Sequence, residues 1–148
     1  MSTDIFGDLR EWNRVLRQVD ELQAVGKLDE HQEGLARLLR YRFNWRVRRK
    51  AVESLSGLAQ PHDQILFLVL EITADDHTQF DLRTLAADSL CGLIAMRQKA
   101  GRWNADLEVT VIEKLGGALK AHQPPEFEKA IKRALSCAGS GVRTATTA

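Results

Sequence analysis

A chain of 148 residues with a formal net charge of +1 and 44% hydrophobic residues is long enough to bury a core without disulfides or metals. Its near-neutral balance argues against a wholesale electrostatic partner such as bulk nucleic acid or an anionic membrane. The start, MSTDIFGDLREWN, shows no signal peptide and the longest apolar run, Ile65 to Leu70, cannot span a bilayer, so the expected location is the cytoplasm.

Seven helices are predicted. The first covers 3–25, with Ile5, Leu9, Trp12, Leu16 and Val19 at alternating steps of four and three, and Gly26 placed for a left-handed cap. It has no partner in the pattern that follows and is predicted to cap the N-terminal side, with Trp12 in the core. The second helix, 28–42, sets Leu28, Leu35, Leu38 and Leu39 on one side. Asn44 offers a capping side chain to the third, 45–59, which Gln60-Pro61 ends.

The fourth, 61–74, carries ILFLVL and is apolar nearly all round. Periodicity alone would also allow a buried strand, but Pro61 suits a first helical turn and the repeat frame requires a helix. The fifth covers 79–100 and stops at Gly101. The sixth, 105–121, is capped by Asn104, and Gly116-Gly117 within it reads as a close-packing point or kink. Pro124-Pro125 opens the seventh, 125–138, and the small polar tail 139–148 is predicted to be disordered.

The most informative feature is a repeat. Val47-Arg48-x-x-Ala51-x-x-x-Leu55-x-x-Leu58 returns 35 residues later as Leu82-Arg83-x-x-Ala86-x-x-x-Leu90-x-x-Leu93. A third, worn copy places Ala130, Ala134 and Cys137 at the same offsets, with Phe127 in the arginine slot. Over residues 28–138 this pattern resembles HEAT repeats. The resemblance implies an all-α superhelix (α-solenoid) of about three helix pairs, 28–60, 61–101 and 104–138, behind the capping helix 1–26, in one domain 1–138. Such proteins mostly act as curved scaffolds that grip other proteins; a few bind nucleic acid, and fewer are enzymes or handle cofactors.

Charge is layered. Residues 1–33 carry a net −4, residues 34–52 +7, residues 53–88 −6 and residues 89–148 +4. The basic layer runs from Arg37 to Lys50 and interleaves Arg42, Arg46 and Arg49 with Tyr41, Phe43 and Trp45. Arginine beside aromatics serves phosphate and base recognition, and equally serves protein-binding hot spots. Pairing with the acidic layer, or a solvated face, is the plainer reading, and Arg48 in the repeat's own slot is expected to be structural.

Positions 46, 49, 50 and 53 share one side of the third helix, away from Val47 and Ala51. In a HEAT-like stack the second helices line the concave face. The resemblance therefore implies a groove that is basic at Arg46, Arg49 and Lys50, acidic at Asp81 and Asp88, and mixed near Lys132, with Arg42 and Trp45 beside it. A duplex needs unbroken positive charge, which the acidic middle interrupts. The expected function is a non-catalytic adaptor or regulatory scaffold that binds a partner protein on this face. Nucleic-acid binding through Arg37–Lys50 is one alternative, and an assembly or regulatory factor for a cofactor-bearing enzyme is another. Self-association through the uncovered end of the seventh helix is also open.

No catalytic residue, cofactor or metal site is expected. His31, His62, His77 and His122 lack helical metal spacing, and no His-Glu pair of the kind HEAT-like hydroxylases use is present. Asp75-Asp76-His77 reads as a turn. Cys91 and Cys137 are expected to be free core cysteines: their helices belong to different repeats and the compartment reads as reducing.

Overall fold

Asparagine and glycine set the helix limits where local chemistry dictates. The Asn44 side chain accepts the Arg46 N–H at 2.9 Å and Asn104 accepts that of Leu107 at 2.9 Å, each worth about 1 kcal/mol over alanine. Gly26 and Gly101, at φ +69° and +71°, follow α1 and α5 in the left-handed turn that returns two N–H groups to the last carbonyls. The computed structural model describes residues 4–147. Residue 3, where the first helix was expected to start, and residue 148 of the expected tail lie outside them.

The helices are α1 (Trp12–Ala24), α2 (Gln32–Arg40), α3 (Trp45–Ser54), α4 (Asp63–Ala74), α5 (Phe80–Lys99), α6 (Ala105–Ala118) and α7 (Pro125–Thr147), with no strand among the described residues. Single 3-10 turns at Leu28–His31 and Leu55–Gly57 replace parts of the expected second and third helices. ILFLVL lies in α4 and is helical. The chain divides into two compact units, Met1–Leu68 and Val69–Ala148, with the division inside α4.

In the first unit, α1 and α2 both pack against α3. Val15, Val19 and Leu22 of α1, Leu35, Leu38 and Leu39 of α2, and Val47, Ala51 and Val52 of α3 are buried. At about 25 cal/mol per Å² of apolar surface removed from water, these side chains dominate the unit's stability. Arg48 is buried among them, and its Nε–H donates to the carbonyl of Leu39 at 3.0 Å. A helix leaves its last four carbonyls without intrahelical partners, and Leu39 is one of them. The repeat's arginine therefore closes the end of the preceding helix, the structural role expected of it.

The N-terminal segment departs from expectation. Helix begins only at Trp12. Ahead of it, Asp4 accepts the Phe6 N–H at 2.9 Å, and Arg37 donates to both Asp4 (2.7 Å) and the Gly7 carbonyl (2.7 Å). Phe6, not Ile5, is the buried side chain. Its ring lies on Gly34, where an added Cβ would sit only 2.7 Å away, so α2 accepts the ring only because that position lacks a side chain. A turn held by an aspartate and a distant arginine outcompetes helix here.

In the second unit, α5 and α6 pack against α7. Arg83 repeats the work of Arg48: its Nε–H donates to the Thr73 carbonyl near the end of α4 at 2.9 Å. Its guanidinium also lies 4.9 Å from the Phe80 ring and 4.4 Å from the Phe127 ring. Phe127, the residue in the worn repeat's arginine slot, thus becomes a lid on the previous arginine. Burial pushes the Arg83 pKa below its ordinary value, opposed by the nearby Asp76 and Asp75 carboxylates.

Further expectations change in this unit. Cys91 on α5 and Cys137 on α7 are not free; they form a disulfide with Cα atoms 5.5 Å apart. Separate repeats had suggested separation, but α5 and α7 pack directly on one another and bring one cysteine from each together. α7 runs from Pro125 to Thr147, beyond the expected end at 138. Gly116 and Gly117 are exposed with open space where a Cβ would stand, so they mark no close packing.

Candidate interaction surface

The extended backbone at Tyr41 and Asn44 carries the chain out from α2 before α3 begins. Phe43 on this bend is 89% exposed and Trp45, the first residue of α3, is 59% exposed. Tyr41 meets Phe43 edge to face, with ring centroids 5.5 Å apart. Exposed rings at that level stand out, because large apolar side chains are ordinarily held in the core.

Arg46 organises the patch. Its guanidinium lies 4.7 Å from the Trp45 ring and 5.2 Å from the Trp12 ring. Trp12, expected in the core, is only half-buried and serves as one face of this stack. Among the described residues the Arg46 side chain makes no hydrogen bond or ion pair; only its backbone N–H is engaged, by Asn44. The two rings hold the guanidinium by cation–π attraction, and among the described residues no protein acceptor takes its N–H groups.

The other expected site residues divide by unit. In the first, Arg42 is exposed, Arg49 pairs with Glu53 at 3.6 Å, and Lys50 donates to Asp20 on α1 at 2.9 Å. In the second, Asp81 is exposed, Asp88 accepts from Arg133 at 2.6 Å, and Lys132 pairs with Glu128 at 3.0 Å. The structure brings Trp45, Arg46 and Lys50 together with α1. Several charges read as free are instead neutralised by neighbours, and exposed pairs of this kind add little stability. Arg37 and Arg48, inside the basic run, are spent on the N-terminal segment and on α2.

The contribution of α1 is what sequence reading missed. Asn13, Leu16, Arg17 and Asp20 line a shallow groove of about 500 Å³ completed by Lys50. Their i, i+3, i+4, i+7 spacing puts them on one helix face, and the polar Asn13, Arg17 and Asp20 beside Leu16 were the available signal. Trp12 meets Arg46 and Asp20 meets Lys50, so contacts advance along α1 and α3 in the same direction.

Elsewhere the acid–histidine cluster forms a turn: Asp75 accepts the His77 N–H at 3.0 Å and the Thr78 hydroxyl at 2.7 Å. Asp76 accepts from Lys120 at 2.7 Å, and this bond holds its carboxyl below the usual range. Among the described residues no group of three His, Cys, Asp or Glu side chains could hold a metal, and no helix is long and apolar enough to cross a membrane. No protein-family model matches the chain, and no curated protein or solved structure matches it significantly.

Proposed function

We propose that this chain is a non-catalytic protein-interaction module, a small adaptor or regulatory scaffold of HEAT-like helix pairs, whose working face is the α1/α3 surface of the first unit. The observation that carries the reading is Arg46, stacked on two tryptophans and open at its hydrogen-bonding edge beside exposed Phe43 and Trp45. Tyrosine, tryptophan and arginine dominate protein-binding hot spots because they offer large, rigid contact area with polar handles. The repeated arginine that closes the preceding helix at Arg48 and again at Arg83 supports the HEAT-like reading.

The test is capture from native lysate by the wild type and by an Arg46/Arg49→Glu variant, with and without nuclease, at low and moderate salt. A discrete protein that survives nuclease and is lost from the variant is the expected result. Recovery of salt-labile, nuclease-sensitive nucleic acid would replace this reading with the basic-patch alternative, since counterion release makes such binding steeply salt-dependent.

A further inference from the structure

We infer that the outer face of α6 docks a basic amphipathic helix of a partner protein. Apolar side chains of that helix pack on Val109 and Ile112, and its lysines or arginines meet Glu108 along one edge and Asp106 and Glu113 along the other. This second surface lies in the second unit and does not depend on the α1/α3 face.

The helix carries two apolar stripes where folding needs one. Leu107, Val111, Leu115 and Ala118 are the buried stripe. Ala105, Val109, Ile112 and Gly116, at i, i+4, i+7 and i+11, form another, about 16 Å long at the helical rise. Val109 is 52% and Ile112 38% exposed, and Ala105 and Gly116 are exposed beside them. A Cβ added at Gly116 would meet nothing within 4 Å, so a partner backbone can come close there. The stripe follows one helix axis for three turns, which suits a second helix packed ridge into groove.

Charge decides what covers the stripe. Asp106 and Glu113, seven residues apart, border one edge, and Glu108 borders the other. Asp106 offers only its backbone carbonyl, to the Thr110 hydroxyl, and among the described residues none of the three carboxylates has a hydrogen bond or ion pair. Cations nearby are engaged or face elsewhere. Lys120 donates to Asp76, Lys132 pairs with Glu128, and Arg133 pairs with Asp88. Lys114 lies on the side of α6 opposite the stripe, and Lys129 on the side of α7 away from buried Phe127 and Ala134. Arg102 precedes the Asn104 cap and pairs with none of the three. Asp106 and Glu108 also suit the positive end of the helix dipole, but Glu113, two turns further in, does not. The same charge disfavours other occupants. A second copy pairing face on face would set these carboxylates side by side, and a nucleic-acid strand or an anionic membrane would add more negative charge.

The test is fluorescence anisotropy with the full chain and a labelled helical peptide that has leucines at i, i+3 and i+7 and lysines along both edges. Binding is expected, weakened about tenfold by Glu113→Lys, which places like charges together. Val109→Ser/Ile112→Ser should abolish it, with the fold of that exposed double variant checked by circular dichroism. Gly116→Leu, which fills the open space, should weaken it as well. No binding, equal binding of a scrambled peptide of the same composition, equal binding by Val109→Ser/Ile112→Ser, or tighter binding of a peptide with glutamates for lysines would each overturn the inference. So would a concentration-dependent dimer in sedimentation that Val109→Ser/Ile112→Ser dissolves, because a second copy would then cover the stripe. Lysate capture through Arg46 leaves α6 unchanged, so the two surfaces can fail separately.

Discussion

Arg46 and Arg83 each lie over two aromatic rings, Trp12 and Trp45 in the first unit and Phe80 and Phe127 in the second. Arg83 is 2% exposed and donates inward to the Thr73 carbonyl, whereas Arg46 is exposed and its side chain donates to nothing among the described residues. The rings around Arg83 replace lost hydration of a buried charge. Those around Arg46 aim a charge at solvent. One interaction serves folding in one place and presentation in the other, and burial decides which.

The contrast can be broken most severely at the disulfide. Reducing Cys91–Cys137, which closes a span of 46 residues, is expected to cost about 4 kcal/mol in the chain-entropy picture. Hydrogen exchange should then quicken in α5 and α7 while α1 and α3 hold their protection. Equal loosening of both units would show that the second does not hold its stability locally. Alkylation with and without reductant checks the pairing itself.

Arg83→Ala is next. It leaves the Thr73 carbonyl without its donor and uncovers two rings, a loss of about 3 kcal/mol that denaturant melting would read. Arg46→Ala is expected to fall within about 1 kcal/mol of wild type, because the exposed stack contributes little to folding. Comparable losses at the two sites would erase the distinction between them.

The smallest effect concerns pH. The bond from Lys120 lowers the Asp76 pKa from its ordinary 3.8, so the pair favours the folded state above that value. That contribution fades as pH falls through the depressed folded pKa. A carboxyl-carbon titration should place the Asp76 midpoint below 3.8, and Lys120→Ala should return it upward. The pair is exposed, so added salt should also weaken it.

Local chemistry made the helices readable. Asn44, Asn104, Gly26 and Gly101 act within a few residues of themselves, and their positions predicted helix limits closely. Arg48 could be recognised as structural because its slot recurs at Arg83. Residues 4–11 resisted the same reading: their apolar spacing fits a helix, and only Arg37, thirty residues on, reveals the turn. The same holds for Cys91 and Cys137, which meet through the packing of α5 on α7.

At the candidate site, the arginines and exposed rings of 41–46 were visible as a cluster. Which of them remain available was not, since Asp20, Glu53 and the N-terminal turn claim Lys50, Arg49 and Arg37 in three dimensions. Trp12 showed the opposite difficulty. Its place in an apolar stripe suggested core, but α1 buries Val15, Val19 and Leu22 instead, which leaves that ring half-buried beside Arg46.

Phe127 carries a consequence for how such a chain can grow or shrink. The first two arginine slots do the same work, each on the helix before it, but the third holds a ring that closes over its predecessor. Copies of the pattern are consequently not exchangeable modules. A gene that lost the last helix pair would leave Arg83 with one ring missing, and one that gained a pair by duplicating the second would insert an arginine where Arg83 needs a lid. The third copy, worn by sequence identity, is a specialised member whose divergence fixes its place after the second.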